Sequence, residues 1–234
     1  MSVTATGQFA LLVDTLAAML SAATTWQKIT QSANAAAALA KILVFGKDSS
    51  EARPHAVVYL TDGGGNNIGG GSVEAFLPSS KIVMALEIPI EYAGTVTTAT
   101  SATAFKASAL AAFADDTFNQ LELTITPTGG AQETKAISDF TGSDGTLTLA
   151  SALAIAPSVG DTFTIQAANA RDAEVWFLNL VSAILADIKA LAGTGGYFSI
   201  SQYRLADYGS PPREKEEPSY SLAVVELTKG DAGA

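Results

Sequence analysis

Apolar residues recur at helical spacing over Gln8–Ala22, where Phe9, Leu12, Val13, Leu16, Met19 and Leu20 share a face and Thr6 is placed as a cap. A polar stretch, TTWQKITQ, leads to Ser32, which can cap a second helix ending near Leu43. That helix is rich in Ala, with only Leu39, Ile42 and Leu43 as large apolar residues, so it implies close packing against a neighbour. HAVVYLTD reads as a buried strand, and GGGNNIGGG after it as a loop. Over Lys81–Tyr92 the pattern alternates: Ile82, Met84, Leu86, Ile88 and Ile90 on one face, Val83, Ala85, Glu87 and Glu91 on the other. Pro89 cannot donate to a ladder, which predicts an edge or a bulge there.

From Gly94 to about Ala167 the character changes. TVTTAT, LELTIT, TKAISDF, GTLTLA and DTFTIQ are short strand patterns separated by turns containing Gly and Asp. They predict a compact five-stranded module with Leu121, Leu123, Ile125, Ile137, Phe140, Leu147, Leu149, Phe163 and Ile165 as its core. Helical spacing returns over Ala173–Ala192, and Gly193 is placed to stop it. Val175, Leu178, Leu185 and Ile188 form one apolar stripe of this helix, and Trp176, Leu180, Ile184 and Leu191 another. A surface helix needs only one stripe, so further cover is expected, from the N-terminal helices or from another subunit. GYFSISQYRL then reads as a strand, DYGSPPREKEEPSY as a charged loop, YSLAVVEL as a last strand and KGDAGA as a loose end.

The predicted fold class is therefore α+β, a mixed or antiparallel sheet packed with helices and interrupted by an inserted all-β domain of about five strands. Residues 1–93 and 168–234 form the host and 94–167 the insert, whose two ends must lie close together.

Composition bounds what such a chain can do. Of 234 residues 48% are apolar, enough for real cores. The absence of cysteine excludes disulfides, thiolate metal sites and thiol nucleophiles. MSVTATGQFALLVDTLAAML lacks the basic residues of a secretory signal, and no apolar run reaches the length of a membrane span. Assembly in a cytoplasm-like compartment and no membrane partner are the expectation. Net charge is −10, from 23 acidic and 13 basic side chains, so the chain repels phosphate backbones unless its cations cluster. The densest basic stretch, PPREKEEP, sets Arg213 and Lys215 among glutamates, and specific nucleic-acid binding is not expected.

Candidate chemistry is sparse. The single histidine, His55, has no nucleophile-elbow motif beside it. Glu87 and Glu91 share a strand face with no His or other plausible catalytic partner nearby in sequence, the pattern of a solvated face. GGGNNIGGG fits neither G-x-G-x-x-G nor G-x-x-x-x-G-K-[ST]. Asp139, Asp144 and Asp161 stand at strand ends, where Asp is an ordinary turn residue, and DFTGSDG does not match the EF-hand spacing. No catalytic residue, cofactor or metal site is assigned, and the chain is not read as an enzyme.

The order of elements resembles a known family. RPHAVVYL, SSKIVMALEIPIEY, EVWFLNLVSAILADIKALAG and PPREKEEPSYSLAVVEL are similar to segments of the tail-terminator (tail-completion) proteins of tailed bacteriophages. DDTFNQLELTI, KAISDFTGSDGTLTL and APSVGDTFTI resemble a β-module that recurs in phage structural proteins. The resemblance implies a structural virion protein of the neck. It would form a ring, commonly hexameric, that caps the tail tube, meets the head-completion protein and passes DNA through its lumen. Gly63, Asn66, Asn67 and Gly71 of the glycine loop, Trp176 of the helix, and Arg213, Glu214 and Lys215 of the charged loop are the candidate subunit or partner contacts. A head-completion or connector protein is the nearest alternative. A monomeric ligand-binding protein is a more distant one, since its β-module has no Trp or Tyr for a sugar platform.

Overall fold

The computed structural model describes residues 8–44, 56–62, 81–195, 197, 200–208 and 220–229. Helix α1 (Gln8–Ala22) occupies the predicted span, with Val13, Leu16, Met19 and Leu20 fully buried. The proposed cap, Thr6, lies outside the described residues. Expectations for the segment after α1 are corrected. The polar stretch holds a short helix, α2 (Thr24–Ile29), because Trp26 and Ile29 supply an apolar side that is buried. The Ala-rich helix α3 (Ala35–Leu39) is capped by Asn34 rather than Ser32, its side chain accepting from the Ala37 N–H at 2.9 Å. Ile42 and Leu43, expected in that helix, lie instead in strand β1 (Ile42–Val44), where β-branched residues fit the pleat.

Strands β2 (Ala56–Asp62), β3 (Lys81–Pro89), β11 (Ile200–Tyr208) and β12 (Tyr220–Lys229) join β1 in a five-stranded sheet of order β1-β2-β3-β12-β11. β1 and β2 run parallel, while β2–β3 and β11–β12 are antiparallel, so the sheet is mixed. Ile82, Met84, Leu86 and Ile88 of β3 are all buried, as their alternation predicts, and α1 packs over β1 and β2.

Pro89 ends β3. The chain bends at Ile90 and starts strand β4 (Glu91–Thr95) in a second sheet, so the apparent single strand Lys81–Tyr92 is two strands in two sheets. The second sheet also contains β5 (Thr98–Ala99), β6 (Ala104–Lys106), β7 (Glu122–Ile125), β8 (Glu133–Thr141), β9 (Thr146–Leu149) and β10 (Thr162–Gln166). Its order is β4-β10-β7-β8-β9-β6-β5, with every neighbouring pair antiparallel. Its first and last strands along the chain are hydrogen-bonded neighbours, with Glu91 opposite Gln166. All nine residues expected in the core of this module are buried. The sheet has seven strands where about five were expected: TVTTAT contains β5, the other four patterns fall on β7–β10, and the two additional strands are β4, hidden in the longer run, and β6, too short to show a period. The α+β class holds.

The chain divides into two compact units. One takes in Pro89–Ala183, and the other the described residues up to Ile88, from Ile184 to 208 and from Ser221 on. The long helix α4 (Ala170–Leu191) has turns in each. It ends at Gly193, whose φ of +75° is the left-handed conformation that stops a helix. Asp187, near its C-terminal end, accepts from the Thr25 N–H at 2.7 Å. That bond supplies α2 with the cap that Ala23 cannot provide. Of the two predicted stripes on α4, the first is mixed, with Ile188 buried, Leu178 and Leu185 half-buried and Val175 51% exposed, and the second is buried at Trp176, Leu180 and Ile184 and half-buried at Leu191. No described helix is long and apolar enough to cross a membrane.

Candidate interaction site

Among the described residues, the concavities of the β-rich unit include a larger and a smaller one. The larger, of about 380 Å³, is a shallow groove over β4, β10 and β7, walled by threonines including Thr95, Thr124 and Thr164. Threonine on the outer face of a twisted sheet is what β-propensity selects. Thr124 and its cross-strand partner Thr134 already bond to each other at 2.8 Å. No charged side chain lines this groove, and it offers only hydroxyls, methyls and the Gln132 amide at its edge.

The smaller recess, of about 90 Å³, lies between residues 116–121 and the early turns of α4. Its loop wall is backbone under strain. Asp116 and Gln120 of that wall, and Ala112 ahead of it in the chain, have φ of 65°, 68° and 77°, left-handed values that cost a non-glycine residue about 1 kcal/mol or more each. Bonds to the β8 side hold them there: Ala112 N–H donates to Gly142 O at 2.7 Å, Asp116 N–H to Phe140 O at 3.0 Å and Gln120 N–H to Ile137 O at 2.8 Å. The Asp115 carboxylate accepts from the Gly142 N–H at 2.7 Å. The helical wall is fixed by a reciprocal cap. Asn169 Oδ1 accepts from the Asp172 N–H at 3.1 Å, and Asn169 Nδ2 donates to the Asp172 carboxylate at 2.7 Å. That cap starts α4 at Ala170, three residues before the predicted Ala173.

Trp176 lines the recess. It is 4% exposed, and its ring lies 6.1 Å from that of Phe118, a tilted contact. Its Nε1–H has no hydrogen-bond partner, and neither has Asn119 Oδ1, although Asn119 Nδ2 donates to Asp116 Oδ1 at 2.7 Å. Both orphaned atoms belong to residues of the same recess. The Trp26 Nε1–H is a third buried atom without a partner among the described residues, outside this recess, so an orphan alone is not diagnostic; here two orphans of complementary sense, a donor and an acceptor, belong to residues of one recess. Asp116, Asp172 and Asn179 add polar rim, and Leu121 and Val175 an apolar edge.

Trp176 is the one candidate contact residue inside the described structure. Gly63, Asn66, Asn67, Gly71, Arg213, Glu214 and Lys215 lie outside the described residues, as does His55. Glu87 and Glu91 stand on strands of different sheets. Among the described residues no group of three or more His, Asp or Glu could hold a metal ion. The recess itself escapes sequence reading: Asp116, Thr117, Asn119 and Gln120 form a polar run without period, and only an apolar Phe118 in its middle hints that the run is anchored.

Three carboxylates of this unit are structural. Asp161 is buried and accepts from the Thr128 hydroxyl at 2.5 Å, from the Ser158 N–H at 2.7 Å and from the Thr128 N–H. The Thr128 hydroxyl is the main reason its pKa is lowered. The ammonium of Lys106, 2.6 Å from Asp144, lowers that group, and the Ala154 N–H lowers Glu133. All three have folded pKa values lowered from their own unfolded values, which are about 4. Their contribution is complete above those unfolded values and is lost as pH falls through the folded values. Urea denaturation should therefore give a midpoint that is flat above about pH 5 and falls steadily below about pH 4. Asp161→Asn should lower the plateau and flatten the acid limb. An acid limb unchanged by Asp161→Asn would show that this carboxylate does not carry it.

No model of a known protein family matches this chain, and no curated protein matches it.

Proposed function

We propose that the chain is a structural virion protein, a tail terminator that caps the tail tube as a ring and joins it to the head. The observation that carries the reading is the discontinuous architecture. A mixed α+β host sheet is interrupted between β3 and α4 by a β-module whose first and last strands pair. Host and insert are the two parts in which the sequence resembles phage structural proteins. Two further features fit. An acid excess of ten charges lets DNA pass a lumen without being gripped. The exposed Val175 and half-buried Leu178 of α4 form a surface that a neighbouring subunit would cover in a head-to-tail ring.

The test is electron microscopy of virions carrying this chain with a label. Label is expected at the junction of head and tail, in a ring of about six subunits by closed symmetry. When heads and tails are separated before joining, the chain should stay with the tails, which distinguishes a terminator from a head-completion protein. Label elsewhere on the particle would overturn the reading.

A further inference from the structure

We propose that the recess between residues 116–121 and the start of α4 is a binding site for a primary carboxamide. Trp176 Nε1–H needs an acceptor and Asn119 Oδ1 needs a donor, and nothing in the described structure supplies either. A carboxamide carries both on adjacent atoms, a C=O for the indole and an N–H for Asn119. A carboxylate offers no donor and would face Asp116 and Asp172, two negative groups of the same wall. An ammonium or guanidinium offers no acceptor and would leave the indole N–H unmet. The volume, about 90 Å³, is that of about three waters in the liquid, the scale of a group with three heavy atoms. Leu121 and Val175 give its carbon stem an apolar edge.

Both orphaned atoms are covered, with less than 1 Å² of each exposed, so the amide enters as Asn119 turns on its tether to Asp116. The site is independent of the ring reading. It concerns one recess within one compact unit.

The test uses the full chain labelled with ¹⁵N. Its two tryptophans give two indole N–H resonances, Trp26 and Trp176, which either single Trp→Phe variant assigns. Acetamide should move the Trp176 resonance saturably and leave that of Trp26, a fully buried residue remote in sequence, in place. Acetate should move neither. Asn119→Ala should weaken the response about tenfold, the loss of one hydrogen bond. Capped glutamine binding more tightly than acetamide would identify a side chain of a partner polypeptide as the source, and the reverse order a free amide. Three results would overturn the proposal. One is no saturable shift below the concentration at which Trp26 also moves. Another is an equal response in Asn119→Ala. The third is a Trp176 resonance that amides leave unmoved but Asn119→Ala displaces, which would mean that the two orphans close on each other.

Discussion

Phe118→Ala should destabilise the β-rich unit by about 4 kcal/mol, the larger of two effects expected from single substitutions. Phe118 is fully buried and stands at the centre of an aromatic cluster. Its ring centroid lies 4.8 Å from Phe140, 5.1 Å from Phe113, 6.0 Å from Tyr92 and 6.1 Å from Trp176. The contacts to Phe140 and Phe113 are edge-on, the geometry in which ring quadrupoles attract. Truncation forfeits the burial of the ring and several aromatic pairings, and it leaves a cavity between elements that cannot easily collapse. The loop around it is tied by the bonds of Asp116 and Gln120, and α4 is set by its own cap. Partial collapse of the site would reduce the loss without abolishing it.

Urea denaturation followed by near-ultraviolet circular dichroism would measure the effect, since the cluster dominates the aromatic signal of this unit. Phe118→Leu, which keeps most of the volume, should lose less than half as much. Equal losses for the two variants would mean that the aromatic geometry contributes and the cavity does not. A loss below about 1 kcal/mol for Phe118→Ala would contradict the packing described here.

Phe118 also shows where sequence reading stops. It sits in DDTFNQ, a polar run with neither a 2 nor a 3.6 period, so no pattern marks it as core. The nine apolar residues of the module were legible, because strand period and burial coincide wherever a sheet has one covered face; Leu121 stands just ahead of β7, and a register shift in β8 separates Ile137 from Phe140. The same rule kept α1 and the buried face of β3 legible. It failed at three kinds of place. At Ile42 and Leu43 a strand of three residues is too short to outweigh an Ala-rich helical run before it. At Pro89 an uninterrupted alternation crosses from one sheet to another, and only the missing N–H signalled a break. The recess was invisible because its walls come from residues 116–121 and 172–179, far apart in sequence, and its chemistry lies in what two polar atoms lack.

The second large effect concerns a glycine whose φ is ordinary, so its requirement is purely spatial. A Cβ placed on Gly142 would lie 1.8 Å from the carbonyl oxygen of Phe113 and 3.0 Å from that residue's carbonyl carbon, both backbone atoms. Neither can swing aside as a side-chain tip could. The approach is enforced by bonds on both sides of Gly142: its N–H donates to Asp115 Oδ1 at 2.7 Å and its O accepts from the Ala112 N–H at 2.7 Å. Gly142→Ala must therefore push the 112–115 loop off β8, breaking both bonds and displacing Phe113, a buried member of the aromatic cluster. Overpacking and two lost hydrogen bonds together imply a loss of about 3 kcal/mol. Gly129 supplies the comparison. It has a φ of +81° but nothing within 4 Å of the methyl that alanine would add, so Gly129→Ala should cost only about 1 kcal/mol of backbone strain. Midpoints of urea denaturation for the two variants separate the causes. If Gly129→Ala proved the more damaging, backbone conformation rather than the contact of loop and strand would govern this module. If Gly142→Ala melted beside the wild type, the 112–115 loop would not lie against β8 as described.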